Sequence, residues 1–302
     1  MRHEFKSVAR LRSVPAIAAT LGAGARDPGC KNGPAAFEAH ADAALREQRL
    51  MLSWHRMPPQ DEARLSPLAT VAGAARWIAG LTRPFTAARE RFLVIGGDHS
   101  CAIGTWSGAA DALRSAGALG LIWIDAHMDM HVLDTTHSGA INGMPVAALL
   151  GHGAPQLTGV ATTGPALDPR HVCVVGARSF EPEEVAFAER LGVRVIGMPE
   201  VERRGVAAVL TEARSIASQG TAAYGVSLDL DAFDPADAPG VGTPAPHGIR
   251  ATDFAEPWAT LTRDPACLGV EIVEYNPARD VAGRTARLMQ SLVLSLDSSW
   301  AA

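Results

Sequence analysis

Three short clusters of histidine and aspartate carry the chemistry that this 302-residue chain can do. They are Asp98-His99, then Asp125-Ala126-His127-Met128-Asp129, then Asp229-Leu230-Asp231, with Glu274 further on. Residues two apart in an extended segment face the same way, so Asp125, His127 and Asp129 can converge, as can Asp229 and Asp231. Gathering these carboxylates together with Glu274 is prohibitive without compensation, because like charges at close range oppose ionisation. Divalent cations are the natural compensation. Two imidazoles and four carboxylates without a thiolate (His99, Asp125, His127, Asp129, Asp229 and Asp231) form a hard, oxygen-rich set. It suits Mn²⁺ and similar ions and leaves Co²⁺, Fe²⁺, Ni²⁺ and Zn²⁺ open. Six ligands for two ions leave positions for water, and paired ions make water a nucleophile at neutral pH. The expected chemistry is hydrolysis. Alone, a D-x-D is commonly a turn or helix cap, and a Gly-Gly-Asp-His a loop; their coherence is what makes a site.

The elements that must position these residues are legible as apolar runs. Arg91 to Ile95, Gly120 to Ile124, His171 to Val175, Val193 to Ile196, Ala223 to Leu228 and Gly269 to Val273 read as strands. Near-continuous apolar strands are buried on both faces, which favours a parallel sheet. Ile103 to Ser115, Pro182 to Leu191, Val206 to Ser218 and Thr285 to Leu296 have helical composition, and Pro182 fits a first helical turn. Strands alternating with helices imply βαβ units, hence an α/β fold: a three-layer α/β/α sandwich on a mostly parallel sheet. Each acidic cluster begins where an apolar strand ends, and in such a sheet the carboxyl ends share one ligand-binding edge. With no internal repeat or linker, residues 1–302 read as a single domain.

Composition excludes several classes of function. A net charge of −5 offers no basic field for nucleic acid or an anionic membrane. Cys30, Cys101, Cys173 and Cys267 form no C-x-x-C pair, which argues against a zinc knuckle and suits a reducing compartment. The segment Met1-Arg2-His3-Glu4-Phe5-Lys6 lacks the apolar core of a secretory signal, and no apolar run is long enough to span a bilayer. A cytoplasmic protein is the expectation.

Gly96-Gly97-Asp98-His99-Ser100, Asp125-Ala126-His127-Met128-Asp129 and Ser227-Leu228-Asp229-Leu230-Asp231-Ala232-Phe233-Asp234-Pro235 resemble the three signature motifs of the ureohydrolases, the arginase–agmatinase family. The resemblance runs from Gly22-Ala23-Gly24 and Asn32-Gly33-Pro34 to Glu274-Tyr275-Asn276-Pro277. It implies a three-layer α/β/α fold, a binuclear manganese centre, hydrolysis of a small guanidino substrate to urea and an amine, and a homo-oligomer, trimer or hexamer. It also implies that His99 and Asp129 bind one metal, His127 and Asp231 the other, and that Asp125 and Asp229 bridge them. Asp129 and Glu274 fall at catalytic positions, with Glu274 receiving the guanidinium, a task a carboxylate performs bidentately. Asp98 and Asp234 would orient ligands without binding metal, or serve as loop and cap carboxylates. The Ser138 to Val146 loop looks more like the arginase branch. Ser138 and Thr136 match positions around the substrate α-carboxylate. Glu181 matches the acid that meets the α-amino group, or is a helix-start carboxylate favoured by the dipole.

The chain departs from the family pattern beside this centre. Asn142 stands where a histidine is usual at the catalytic position; an amide does not titrate, and a lost general acid–base costs about 10²–10⁴-fold in rate. Ala140 and His131 replace asparagines at substrate-binding positions, and His247 stands at a common glycine. His131 and His137 read as loop histidines, and with His247 they are also the imidazoles available to take over proton transfer. Three readings follow: an arginase-like enzyme making urea and ornithine, a hydrolase of another guanidino or amidine compound such as agmatine, and a metal-binding subunit without turnover. The intact ligands and Glu274 favour an enzyme, with arginine ahead.

Overall fold

Eight segments of this chain become strands and pair in parallel throughout: β1 (Arg12–Ala19), β2 (Leu50–Arg56), β3 (Phe92–Gly96), β4 (Ala118–Ile124), β5 (Val172–Ala177), β6 (Arg194–Gly197), β7 (Thr221–Asp229) and β8 (Cys267–Val273). The computed structural model describes residues 12–60, 64–162, 164–296 and 300. The N-terminal segment Met1 to Lys6 considered above lies outside the described residues. The strand order is β2-β1-β3-β8-β7-β4-β5-β6.

Side chains alternate between two cores, one on each face of the sheet. Leu93 and Ile95 of β3, Ile122 and Ile124 of β4, and Val270 and Ile272 of β8 join one core. Helices Gly33–Glu47, Val206–Ser218, Ala251–Arg263 and Arg284–Leu294 pack there through Phe37, Val209, Trp258 and Met289. Phe92, Val94, Leu121 and Trp123 face the other way, against helices Pro67–Ala87, Cys101–Leu113 and Pro182–Leu191. The result is the expected α/β/α sandwich. Among the described residues no helix is long and apolar enough to cross a membrane.

The six expected strands and four expected helices all form. Helices Pro182–Leu191 and Val206–Ser218 keep the expected bounds, while Cys101–Leu113 and Arg284–Leu294 begin and end one or two residues early. Two strands were not expected. β1 carries Pro15 and three alanines, so weak a β signal that propensity argues against it, yet it lies inside the sheet between β2 and β3. Its burial, complete at Val14, Ala16, Ile17 and Ala19, overrides local preference.

What matters for the site is that β3, β8, β7 and β4 are consecutive neighbours. Their registers align Ile95 with Ile272, Ile272 with Leu228, and Leu228 with Ile124. The residues that follow this row are Gly96, Val273, Asp229 and Asp125. Four chain segments far apart in sequence therefore leave the sheet at one height, on its carboxyl edge. Gly97 lets the loops close there: its N–H donates to the Ala19 carbonyl at 2.8 Å, and a Cβ on it would stand 1.8 Å from the Leu21 carbonyl oxygen.

Candidate active site

His99 lies at the centre of the carboxyl edge, on the loop between β3 and helix Cys101–Leu113. Its Nδ1 is 3.0 Å from Asp125 Oδ2 and 3.2 Å from both Asp129 Oδ2 and Asp229 Oδ2. The nitrogen is buried and has no completed hydrogen bond. Its other ring nitrogen explains why. Nε2 lies 3.0 Å from Ser227 Oγ, and the Ser227 hydroxyl donates to Glu271 Oε2 at 2.8 Å. With its hydrogen committed to Glu271, Ser227 accepts from Nε2–H, so the Nδ1 lone pair is turned toward the three carboxylate oxygens. Such an arrangement calls for positive charge between them.

His127 makes the second half. Its Nδ1 is 3.3 Å from Asp125 Oδ1 and 3.2 Å from Asp231 Oδ2. The two oxygens of Asp125 thus face different histidines, which is the geometry a bridging carboxylate needs. The groups His99, Asp125, Asp229 and Asp125, His127, Asp231 each have ligand atoms within 4.8 Å of one another and could hold metal ions. The orphaned Nδ1 and the hard donor set fit a pair of divalent cations. All six residues singled out in the sequence are brought together.

Backbone hydrogen bonds aim these side chains. Asp125 Oδ1 accepts from its own loop at His127 N (2.7 Å), Asp229 Oδ1 from Asp231 N (2.8 Å), and Asp231 Oδ1 from Ala126 N (3.2 Å). Trp123 Nε1 donates to Asp125 Oδ2 at 3.0 Å, and the Trp123 ring stacks on His99 with centroids 3.9 Å apart. Extended geometry stops at Asp129, whose φ of +52° turns its carboxylate toward His99. Glu274 has φ +66°. Non-glycine residues in this region cost of order 1 kcal/mol or more and cluster where a side chain must be re-aimed.

The electrostatics are those of an acid cluster out of water. Burial, reinforced by the charge of Asp125, raises the proton affinity of Asp129 to a pKa of about 8. Burial and the neighbouring Asp231 and Asp125 raise Asp229 strongly, and burial raises Asp231. Burial pushes Asp125 upward too, but His127 and His99 outweigh it and hold this carboxyl below its ordinary range. For His99, burial opposes the charged ring, and the three carboxylates overcome it. Glu274 is raised to about 7 by burial and then by Asp98.

Glu274 is gripped by three donors. Oε1 accepts from the His99 N–H at 3.0 Å and from Asn142 Nδ2 at 2.9 Å, and Oε2 from the Cys30 thiol at 3.0 Å. Asn142 therefore clamps the carboxylate instead of presenting a titratable group. Above the ligands opens a cavity of about 460 Å³ lined by Glu274, Asn142, Ser138, Thr136, His131 and Glu181, among others. Thr136 and Ser138 lie on its rim, 3.3 Å apart through their hydroxyls.

His131 is buried, with Nε2 2.9 Å from Glu181 Oε2 and 3.5 Å from Glu184 Oε2. Glu181 is the N-cap residue of helix Pro182–Leu191 and also lines the cavity. The hydrogen bond from His131 lowers its pKa. His137 lies exposed in the cavity wall, 3.8 Å from Glu183. His247 is exposed outside the cavity, and its φ of +61° explains why glycine suits that position.

The two auxiliary acids sit elsewhere. Asp98 accepts from Gly24 N at 2.8 Å, Ser100 N at 3.0 Å and the Ser100 hydroxyl, so it ties two loops together. Asp234 accepts from Ala236 N at 2.9 Å and Gly248 N at 3.3 Å, as a loop carboxylate does. Sequence reasoning missed Glu271, Ser227 and Arg178. Glu271 is fully buried and also accepts from Thr105 Oγ1 at 2.5 Å; a lone acid inside the apolar run of β8 was its signal. The Arg178 guanidinium donates to the carbonyls of Asp231 (2.6 Å) and Ala245 (2.9 Å), fixing the third motif from behind.

Comparison with known proteins agrees with this geometry. The family model described as the arginase family matches residues 14–297. An arginase of Bacillus caldovelox is 39% identical over 242 residues, 80% of each chain. An arginase of Agrobacterium fabrum is 32% identical over 299 residues, covering 95% of this chain and 91% of its own. A crystal structure of arginase from Bacillus subtilis superposes with a TM-score of 0.85 at 32% identity, covering 94% of this chain and 98% of that one. With its ligand-forming motifs on the shared edge of a matching sheet, the chain belongs to the arginase family.

Proposed function

We propose that this chain is a binuclear manganese hydrolase that cleaves the guanidinium C–N bond of arginine to give urea and ornithine. The observation that carries this reading is the pairing of a cation-demanding cluster with a clamped carboxylate, Glu274, in one cavity. His99 and Asp129 would hold one ion and His127 and Asp231 the other, with Asp125 and Asp229 shared between them. Bound there, two divalent cations supply water activated for attack at neutral pH. Glu274 receives the guanidinium at the acceptor site left on Oε2 and orients its carbon over the acid cluster. Asp129 lines the cavity, and with Oδ2 facing His99 it has Oδ1 to take a proton from the attacking water and return it to the leaving nitrogen. Asn142 orients without transferring protons. Ser138 and Thr136 offer hydroxyls to the α-carboxylate, and Glu181 with His131 meets the α-amino group.

The same reading makes the chain one domain, a cytoplasmic homo-oligomer of trimeric or hexameric type, acting on a small molecule and not on nucleic acid or membrane. A second substrate, another guanidino compound, is favoured by one observation: Glu181 Oε2 is already engaged by His131 at 2.9 Å. Urea release by Mn²⁺-loaded protein from arginine, agmatine and guanidino acids tests both. Arginine is the expected best substrate. Preference for agmatine or a guanidino acid would sink the arginine assignment, and no turnover of any compound would sink hydrolysis.

A further inference from the structure

Cys30 is fully buried on the short 3-10 turn Pro28–Asn32, and its sulfur lies 3.0 Å from Glu274 Oε2 and 3.4 Å from the Glu274 carbonyl oxygen. The turn is itself fastened to the loop after Glu274. Asp27, which caps the turn through Gly29 N at 2.9 Å, is bridged by Arg279 at 2.7 Å and by Asn276 Nδ2 at 3.3 Å. The thiol is held in place and kept protonated, since burial and then the charge of Glu274 push its ionisation up. A protonated thiol is a donor, and a carboxylate is the acceptor it faces.

A carboxylate at the end of a glutamate turns easily about its last bond, because that torsion has a broad profile. The two donors on Oε1, His99 N and Asn142 Nδ2, leave this rotation opposed from one side. A donor on Oε2 fixes the plane. Gly242 then leaves Oε2 open toward the cavity, since a Cβ at that position would stand 2.5 Å from the oxygen. With both acceptor sites of Oε1 taken and one of Oε2, the guanidinium bonds to the remaining site on Oε2, and that bond is in line only when the carboxylate plane is set.

We infer that Cys30 is a positioning residue for the guanidino group, acting through Glu274 by fixing the plane of its carboxylate. The inference rests on the reading that Glu274 receives the guanidinium. The experiment compares Cys30→Val, Cys30→Ser and Glu274→Gln in the full Mn²⁺-loaded chain, reading KM and kcat for arginine and Mn²⁺ affinity by calorimetry. Losing one hydrogen bond to a charged group corresponds to roughly a tenfold or larger rise in KM for Cys30→Val, with kcat within about threefold. Cys30→Ser, which keeps a donor, is expected to bring KM back to within about threefold of the parent. Mn²⁺ affinity should stay at the parent value in both. If Cys30→Val does not fold, Cys30→Ala is read in its place. A parent-like KM in Cys30→Val, equal damage from Val and Ser, or Mn²⁺ affinity falling in step with KM would overturn the positioning role. A parent-like KM in Glu274→Gln would instead overturn the assignment of Glu274, whatever the Cys30 variants do.

Discussion

Removing the hydroxyl of Ser227 should weaken cation binding without touching any ligand. That hydroxyl accepts from His99 Nε2 at 3.0 Å and donates to Glu271 Oε2 at 2.8 Å. His99 is 1% exposed and Glu271 0%, so no solvent replaces what Ser227→Ala takes away. Each partner left unsatisfied costs about 1–3 kcal/mol, which puts the loss of stability in the metal-free protein at about 2–4 kcal/mol after relaxation. The ring also loses what sets its tautomer, so the Nδ1 lone pair is no longer committed to Asp125, Asp129 and Asp229. Losing such an outer partner typically costs about 10–100-fold in metal affinity. Urea denaturation of metal-free protein reads the first quantity, and calorimetric titration with Mn²⁺ the second. Parent-like Mn²⁺ affinity in a folded Ser227→Ala protein would refute the reasoning, because it would mean that Nδ1 is directed by the Trp123 stack alone.

Asn142→His should raise kcat at neutral pH by restoring a titratable group, with the general acid–base range of about 10²–10⁴-fold as the ceiling; a loss would show that the cavity is built around the Asn142–Glu274 bond. Metal-free protein should lose stability as pH rises. Asp129 and Glu274, at about 8 and about 7, bind protons more tightly than in the unfolded chain, so their contribution is complete below the ordinary carboxyl range and disappears as pH passes through those values. Thermal melts of metal-free protein at about pH 5.5 and about pH 8.5 read the sign, and a higher midpoint at the alkaline end would contradict it. Mn²⁺ should reverse the trend, since it displaces the protons of the cluster it binds, that of Asp129 among them. Arg178→Met should destabilise by about 2–4 kcal/mol in urea denaturation, because the carbonyls of Asp231 and Ala245 lose their donor. A change under about 0.5 kcal/mol would show that the third motif holds itself.

The convergence of the six His and Asp residues was legible in the sequence because each follows an apolar strand, and a parallel sheet gives all strand ends one edge. Position along the chain was enough to say that His99, Asp125 and Asp229 meet. What it could not give is the order of strands. β8 and β7 lie between β3 and β4, and that insertion brings Glu274 and Asp229 beside His99. β1 was hidden for a related reason: its pairing on both sides, not its composition, makes it a strand.

Partners that act through a neighbour leave a fainter mark than ligands do. Ser227 is one small hydroxyl in an apolar run, and its meaning comes from Glu271 on the adjacent strand, paired with it in register. Cys30 precedes Glu274 by 244 residues, and only the folded turn shows that its thiol meets that carboxylate. Asn142 shows the converse. Its sequence position raised the correct question, whether the site has its usual proton carrier, while the 2.9 Å bond to Glu274 supplies an answer in terms of orientation. On the proposed reading, in which Glu274 accepts the guanidinium, a third donor on that carboxylate in place of a titratable group exchanges proton transfer for alignment. If Asp129 carries the proton, as proposed, Asn142→His should gain most in kcat at the pH where Asp129 is least able to do so, which a pH–rate profile of the two proteins reads.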